Sequence, residues 1–162
     1  MTTVILSLGS NIDREQNIAK AIADIRNAYG ALKISPIYET SSVGFSGPPF
    51  FNLVVGFQTG ESVISIRDKL REIESTAGRV RGPKSFASRV LDIDIILYGD
   101  QNLLDQGYNI PRDEIDKYAY VLKPLADLYP QMIHPVSGLS IKTMWQQFDS
   151  QGQILTVIDF PV

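Results

Sequence analysis

Apolar and polar residues alternate over residues 3–8, the period of a strand that buries one face, and the run stops at Gly9-Ser10-Asn11. Asp13 followed by Gln16 then reads as a helix start, and Ile18, Ile22, Ile25 and Tyr29 keep helical spacing as far as Gly30. A second strand is predicted over residues 32–39. It leads into residues 40–49, a stretch of turn formers too long for a tight hairpin. Phe51, Leu53, Val55 and Phe57 form the buried side of a third strand and leave Asn52 on its other side. Ile66, Leu70, Ile73 and Ala77 mark the stripe of a second helix. Finally Leu91, Ile93, Ile95 and Leu97 alternate with Asp92 and Asp94, so a fourth strand buries the aliphatic set and turns both carboxylates to the opposite face.

The order strand-helix-strand-strand-helix-strand places the chain in the α/β (α+β) class. It predicts a ferredoxin-like βαββαβ core with a mainly antiparallel sheet and helices on one face, leaving the other face open to loops and ligand. Residues 105–162, with Ile110-Pro111 and Val121-Leu122-Lys123-Pro124-Leu125, read as a C-terminal extension of short elements packed on that core. At 162 residues and 44% hydrophobic content, residues 1–162 are expected to form one domain with a proper core.

Composition narrows the chemistry. There is no cysteine, which removes disulfides and thiolate metal sites, and the one histidine, His134, stands before Pro135 as a turn feature without partners for a zinc site. The first residues carry neither a basic leader nor a long apolar run, so a cytoplasmic protein without a membrane span is expected. A net charge of −3 and a pI near 5.1 argue against a general nucleic-acid binder. Basic residues are nevertheless concentrated in one loop, where Arg79, Arg81, Lys84 and Arg89 lead directly into Asp92 and Asp94.

Acidic residues two apart on a half-exposed strand are commonly a solvated face. What distinguishes this pair is the basic loop in front of it. Carboxylates two apart on a strand lie roughly 7 Å apart at the backbone, a span that one or two hard cations bridge. Mg²⁺ beside several guanidinium groups is what a polyphosphate requires while one phosphorus is attacked. A Walker A loop is excluded, although Gly78-Arg-Val-Arg-Gly82-Pro83-Lys84-Ser85 comes close to one. Proline offers no N–H to a phosphate, and the segment runs from helix to strand, the reverse of the P-loop order.

Several pieces, taken in order, resemble one known family. They are Leu8-Gly9-Ser10-Asn11, Tyr38-Glu39-Thr40, Phe51-Asn52, Ile73-Glu74 leading to Gly78-Arg79-Val80-Arg81, then Arg89-Val-Leu-Asp92-Ile-Asp94-Ile-Ile-Leu-Tyr98-Gly99, and Val121-Leu122-Lys123-Pro124-Leu125. The chain is similar over nearly its whole length to 6-hydroxymethyl-7,8-dihydropterin pyrophosphokinase, HPPK. The resemblance implies transfer of the β,γ-diphosphate of ATP to the hydroxymethyl oxygen of the dihydropterin, with release of AMP, in folate biosynthesis. It implies two Mg²⁺ ions at Asp92 and Asp94. It gives catalytic parts to Arg79, Arg89 and Asp94, and nucleotide contacts to Glu74, Arg81, Lys84, Phe86, Arg89, Ile95 and Arg112. Gly9, Thr40, Val43, Asn52 and Tyr120 are implied to hold the pterin. The expected partners are therefore ATP and the pterin, with no nucleic acid or membrane, and the expected state is a monomer. The Arg79–Arg89 loop is expected to close over the nucleotide and exclude water, slowly enough to limit turnover. The hydroxyl proton is expected to go to Asp94 or to hydroxide on the metal.

The chain also departs from the family pattern. Arg112 follows Pro111 where the family has histidine, Tyr118 stands where an arginine is common, and Phe86-Ala87-Ser88-Arg89-Val90 replaces Trp-Gly-Pro-Arg-Thr. Arg112 can still grip phosphate as a charged fork. These losses keep open an alternative, a degenerate paralogue that binds pterin or a partner without catalysis. A ferredoxin-like RNA-binding domain is set aside, because Asp92 and Asp94 occupy the face that would carry its aromatics.

Overall fold

In the computed structural model, residues 1–41, 47–77 and 90–162 are described. Strand β1 (Thr2–Ser10) is followed by α1 (Arg14–Tyr29), the short strands β2 (Lys33–Ile34) and β3 (Ile37–Thr40), the long β4 (Phe50–Thr59), α2 (Val63–Thr76) and β5 (Asp92–Tyr98). The C-terminal part holds a 3-10 turn at Leu104–Gln106, helices α3 (Glu114–Lys117), α4 (Ala119–Leu128) and α5 (Ile141–Gln147), and β6 (Leu155–Ile158). The sheet has the order β5-β1-β4-β3-β6, with β2 also on β4, and its strand pairs are antiparallel. This is the ferredoxin-like arrangement predicted from the element order, with β6 added at the edge beyond β3.

The predicted second strand is two strands. Pro36 cannot donate to the ladder, and the break is bridged by Ser35, whose N–H donates to the Val54 carbonyl and whose Oγ accepts from the Val54 N–H, each at 2.9 Å. Helix α1 begins where expected but without the predicted capping pair. Asp13 is left-handed (φ 44°) and makes no side-chain cap; instead Asn17 donates from its side chain to the Ile12 carbonyl at 2.7 Å. In α2 the cap is Ser62, which accepts from the Ser65 N–H at 3.2 Å.

One face of the sheet is covered by α1 and α2. Val4, Leu6, Leu8, Leu53 and Val55 pack there against Ile18, Ile22, Ile66 and Leu70. The opposite face is not wholly open, in contrast to the expectation from the sequence pattern. Ile5, Val54, Ile96 and Leu97 form a second buried cluster with Val121, Leu122, Leu125 and Ile141, so α4 and α5 roof one end of it. Helix α4 is apolar on the side that lies against the sheet, which is why the extension docks there rather than standing off in solvent. Among the described residues, the other end of this face, around Gly9, Asn52, Asp92 and Asp94, is the part left for loops and ligand.

Leu97 is displaced from its predicted side. The β1–β5 register runs Ile5 to Leu97 and Leu6 to Ile95, so Ile96 is an extra residue and the strand bulges. The bulge flips the alternation, placing Leu97 beside Ile5 on the α4 side while Ile93 and Ile95 stay with α2. The bulged Ile96 carbonyl accepts from the Arg112 N–H at 2.9 Å, so the irregularity anchors the segment that follows. Among the described residues, no helix is long and apolar enough to cross a membrane.

Candidate functional site

Strand pairing lines up the residues that matter. Tyr38 pairs with Asn52, Asn52 with Gly9 and Gly9 with Asp92, so one row crosses β3, β4, β1 and β5 on a single face. In the next row Ser7 pairs with Asp94. Adjacent strands lie about 4.8 Å apart, which sets the Asn52 and Asp92 positions roughly 10 Å apart. The floor thus has an amide end and a carboxylate end, and Tyr120 of α4 stands at the border of the roofed half. Its ring stacks on Tyr118 with centroids 5.0 Å apart, and its hydroxyl is held above the ordinary tyrosine range by burial first, then by the charges of Glu114, Asp92 and Asp94 among others.

The amide end is built for a fixed donor and acceptor pattern. Asn52 is 5% exposed, and its Oδ1 accepts from the Thr40 hydroxyl at 2.6 Å. A Cβ on Gly9 would lie 2.9 Å from Asn52 Nδ2, so glycine is what lets the amide lie flat over β1. Tyr38 closes the back of this end by donating to Asp127, which also takes Lys123 at 2.6 Å.

The carboxylate end opens into a cleft of about 470 Å³ between α2 and residues 107–114, running along the outer edge of β5. Glu74, Asp92, Asp94, Ile95 and Arg112 all line it, which brings together the described residues expected to have metal and nucleotide roles. Glu74 is engaged with the strand edge, its Oε2 accepting the Ile93 N–H at 2.9 Å. Ile95 is nearly buried and offers the cleft an apolar wall. Arg112 gives its Nε–H to Glu114 and sets Nη2 3.6 Å from Asp94 Oδ2. Val43, Arg79, Arg81, Lys84, Phe86 and Arg89 lie outside the described residues.

Sequence reasoning passed over three contributors here. Glu114 stands two residues beyond Arg112 and orients it, while Arg67 and Tyr108 line the far side of the cleft with the guanidinium carbon 5.5 Å from the ring centroid. The available signal was Asn109-Ile-Pro-Arg-Asp113, a turn closed by mutual Asn109–Asp113 hydrogen bonds of 2.9 and 3.1 Å. His134 has the turn role expected of it, its Nδ1 accepting from the N–H groups of Val136 and Ser137.

Asp94 is electrostatically crowded. Burial, then the Asp92 charge, push its carboxyl up to about 7, with Arg112 opposing and Glu114 and Glu74 adding to the rise. A divalent cation at the pair would relieve both the desolvation and the repulsion, so these oxygen donors suit a hard ion such as Mg²⁺. Among the described residues no third His, Cys, Asp or Glu completes a cluster, so such an ion would draw its remaining ligands from phosphate and water.

The raised value makes a prediction for the metal-free protein. Between the ordinary value of 3.8 and about 7, the unfolded chain gives up a proton that folded Asp94 keeps, so stability falls as pH rises through that window and levels off above it. Asp94→Asn is expected to remove this loss and, in EDTA at pH 8, to exceed the unsubstituted protein by on the order of 2 kcal/mol. Urea melts at pH 5 and pH 8 check it. Equal stability of the two proteins at pH 8 would show that Asp94 is not strained.

Residues 5–130 match the family model described as 7,8-dihydro-6-hydroxymethylpterin-pyrophosphokinase (HPPK). The Aquifex aeolicus protein named 2-amino-4-hydroxy-6-hydroxymethyldihydropteridine pyrophosphokinase is 33% identical over 144 residues, covering 88% of this chain and 89% of its own. The chain belongs to the HPPK family. A Haemophilus influenzae HPPK of the same name is 31% identical over 95% of this chain and 98% of its own length. The Pneumocystis carinii folic acid synthesis protein fol1 is 34% identical, but this chain spans only 20% of it. Among solved structures, Plasmodium falciparum HPPK-DHPS superposes with a TM-score of 0.68 at 15% identity, over 90% of this chain and 44% of that one, which supports the HPPK fold.

Proposed function

We propose that the chain transfers the terminal diphosphate of ATP to the hydroxymethyl oxygen of 6-hydroxymethyl-7,8-dihydropterin. The observation that carries this reading is the shared row of Asn52, Gly9 and Asp92, which puts a hydrogen-bonding platform for a flat heterocycle next to a carboxylate pair suited to a polyphosphate's cations. The same reading has residues 1–162 act as one domain, as a monomer, in the cytoplasm.

In this reaction the pterin oxygen bonds to the β-phosphorus, the bond from that phosphorus to the α,β-bridging oxygen breaks, and AMP leaves with the bridging oxygen. Gly9, Thr40, Val43, Asn52 and Tyr120 hold the pterin, with the Thr40–Asn52 hydrogen bond fixing which way the amide faces. Glu74, Ile95 and Arg112 border the nucleotide, and Arg81, Lys84 and Phe86 join them by family resemblance. Asp92 and Asp94 would hold the two Mg²⁺ ions that the family resemblance implies, whose charge would offset that of the phosphates. Arg79 and Arg89 are assigned by resemblance to the transferring group. Phosphoryl transfer through a loose transition state asks little of a base, so Asp94 is given the hydroxyl proton late, after the new O–P bond has begun to form.

The test is AMP formation from ATP and Mg²⁺ with and without the pterin. AMP that appears only when the pterin is present supports the reading. Tight pterin binding by fluorescence without any AMP would overturn it in favour of a binding protein.

A further inference from the structure

We infer that Arg112 serves as an internal counter-cation for the Asp92–Asp94 pair, steered by Glu114, which keeps free divalent cations out and surrenders the carboxylates only to a metal that arrives on a polyphosphate. The inference rests on the nucleotide reading above and concerns how that site takes up its metal.

The placement of Arg112 carries the argument. Its backbone is fixed by the hydrogen bond to the bulged Ile96 carbonyl, which sets its Cα beside the same strand that bears Asp94. Its Nε–H is held by Glu114, so the Nη groups are the part left to exchange partners. Nη2 stands 3.6 Å from Asp94 Oδ2, close enough to neutralise the carboxylate and too far for a committed hydrogen bond. Both side chains are about a quarter exposed, 28% and 26%, so the attraction is neither fully screened nor locked in the core.

A divalent cation on Asp94 and a guanidinium against the same carboxylate repel one another. A bare ion must therefore displace Arg112 from Asp94 and brings no new anion for the guanidinium to bind, leaving it Glu114 alone among the described residues. A polyphosphate supplies oxygens that a guanidinium fork binds well, so the metal and Arg112 are both accommodated when they meet the nucleotide together. The coupling is reciprocal: nucleotide raises the affinity for metal as much as metal raises the affinity for nucleotide.

The test is a titration with Mn²⁺ followed by electron paramagnetic resonance of the free ion, on metal-stripped protein, first alone and then with α,β-methylene-ATP. Arg112→Met, which keeps the packing of the stem, is expected to bind Mn²⁺ alone about tenfold more tightly, as loss of one partly screened charge at short range requires. With the nucleotide analogue the same variant is expected to bind about tenfold more weakly, as loss of a charged phosphate contact requires. Arg71→Ala removes another arginine lining the cleft and is expected to change the affinity for Mn²⁺ alone by less than about twofold. Unchanged or weaker binding of Mn²⁺ alone in Arg112→Met overturns the inference, as does an equal gain in Arg71→Ala, which would reduce the effect to overall charge. If Arg112→Met melts early, Arg112→Gln is read in its place. No pterin or turnover enters these titrations, so absence of AMP formation with the crossed effect intact would fault the catalytic reading alone.

Discussion

Asp92→Ala is expected to lower the rate of pterin-dependent AMP formation by roughly a thousandfold, about 4 kcal/mol of transition-state stabilisation, while leaving pterin affinity within about twofold. The asymmetry follows from the row that crosses the sheet. Asp92 is separated from Asn52 by the whole of β1, and the described residues proposed for the pterin, Gly9, Thr40, Asn52 and Tyr120, lie on β1, β3, β4 and α4 rather than on β5. Removing one carboxylate takes away a ligand for the cations that offset phosphate charge, and the pterin end keeps its hydrogen bond between Thr40 and Asn52. Folding is not expected to suffer, because Asp92 adds to the charge that disfavours ionised Asp94, and its loss eases that repulsion. Single-turnover quench with a fluorescence titration of the pterin measures both quantities on one preparation. A fall of less than tenfold in AMP formation at saturating Mg²⁺ would remove Asp92 from the metal site.

Much of this architecture is legible in the amino-acid sequence, for identifiable reasons. Strands β1, β4 and β5 set a regular apolar row against α1 and α2, each of which buries one stripe, and such rows are what write a period of two or 3.6 into a sequence. The positions of Asn52, Asp92 and Asp94 on the opposite face follow from the same alternation, and pairing in the sheet then puts them in neighbouring rows. Other features depend on contacts between distant segments, and local patterning does not encode those. The bulge at Ile96 is such a case, because an inserted residue looks like continued alternation until the partner strand fixes the register. The strand predicted over residues 32–39 splits because Pro36 has no N–H and Ser35 can stand in for one.

The roofed half of the second face is harder to foresee. Val121, Leu122 and Leu125 are apolar at helical spacing around Pro124, and such a short helix declares its partner only by docking. Glu114 escapes sequence reasoning because its importance is relational. An isolated glutamate at the start of a four-residue helix says nothing, yet here it fixes the direction of Arg112, and Arg112 reaches Asp94. Where the family resemblance implies a histidine, this chain has the longer, permanently charged Arg112, and an acid that orients it accompanies it.

Asn52→Leu is expected to weaken binding of 6-hydroxymethyl-7,8-dihydropterin by about 100-fold, near 3 kcal/mol, and to leave the affinity for a non-hydrolysable ATP analogue in the presence of Mg²⁺ within about twofold. Asn52 is buried and its carbonyl oxygen is held by Thr40 at 2.6 Å, so the amide is presented to a ligand in one orientation rather than sampled. Leucine keeps the volume but leaves the polar edge of a heterocycle desolvated and unpaired, which is the costly arrangement. Gly9→Ala is the companion variant. Its new Cβ would stand 2.9 Å from Asn52 Nδ2, so the amide must lift by a few tenths of an ångström and strain its bond to Thr40. An intermediate loss of about tenfold is expected there, in pterin affinity and not in nucleotide affinity. The ordering of the two variants tests the geometry as well as the residue: a pterin that bound Asn52→Leu as tightly as the parent protein would place the heterocycle somewhere other than over the Gly9–Asn52 row.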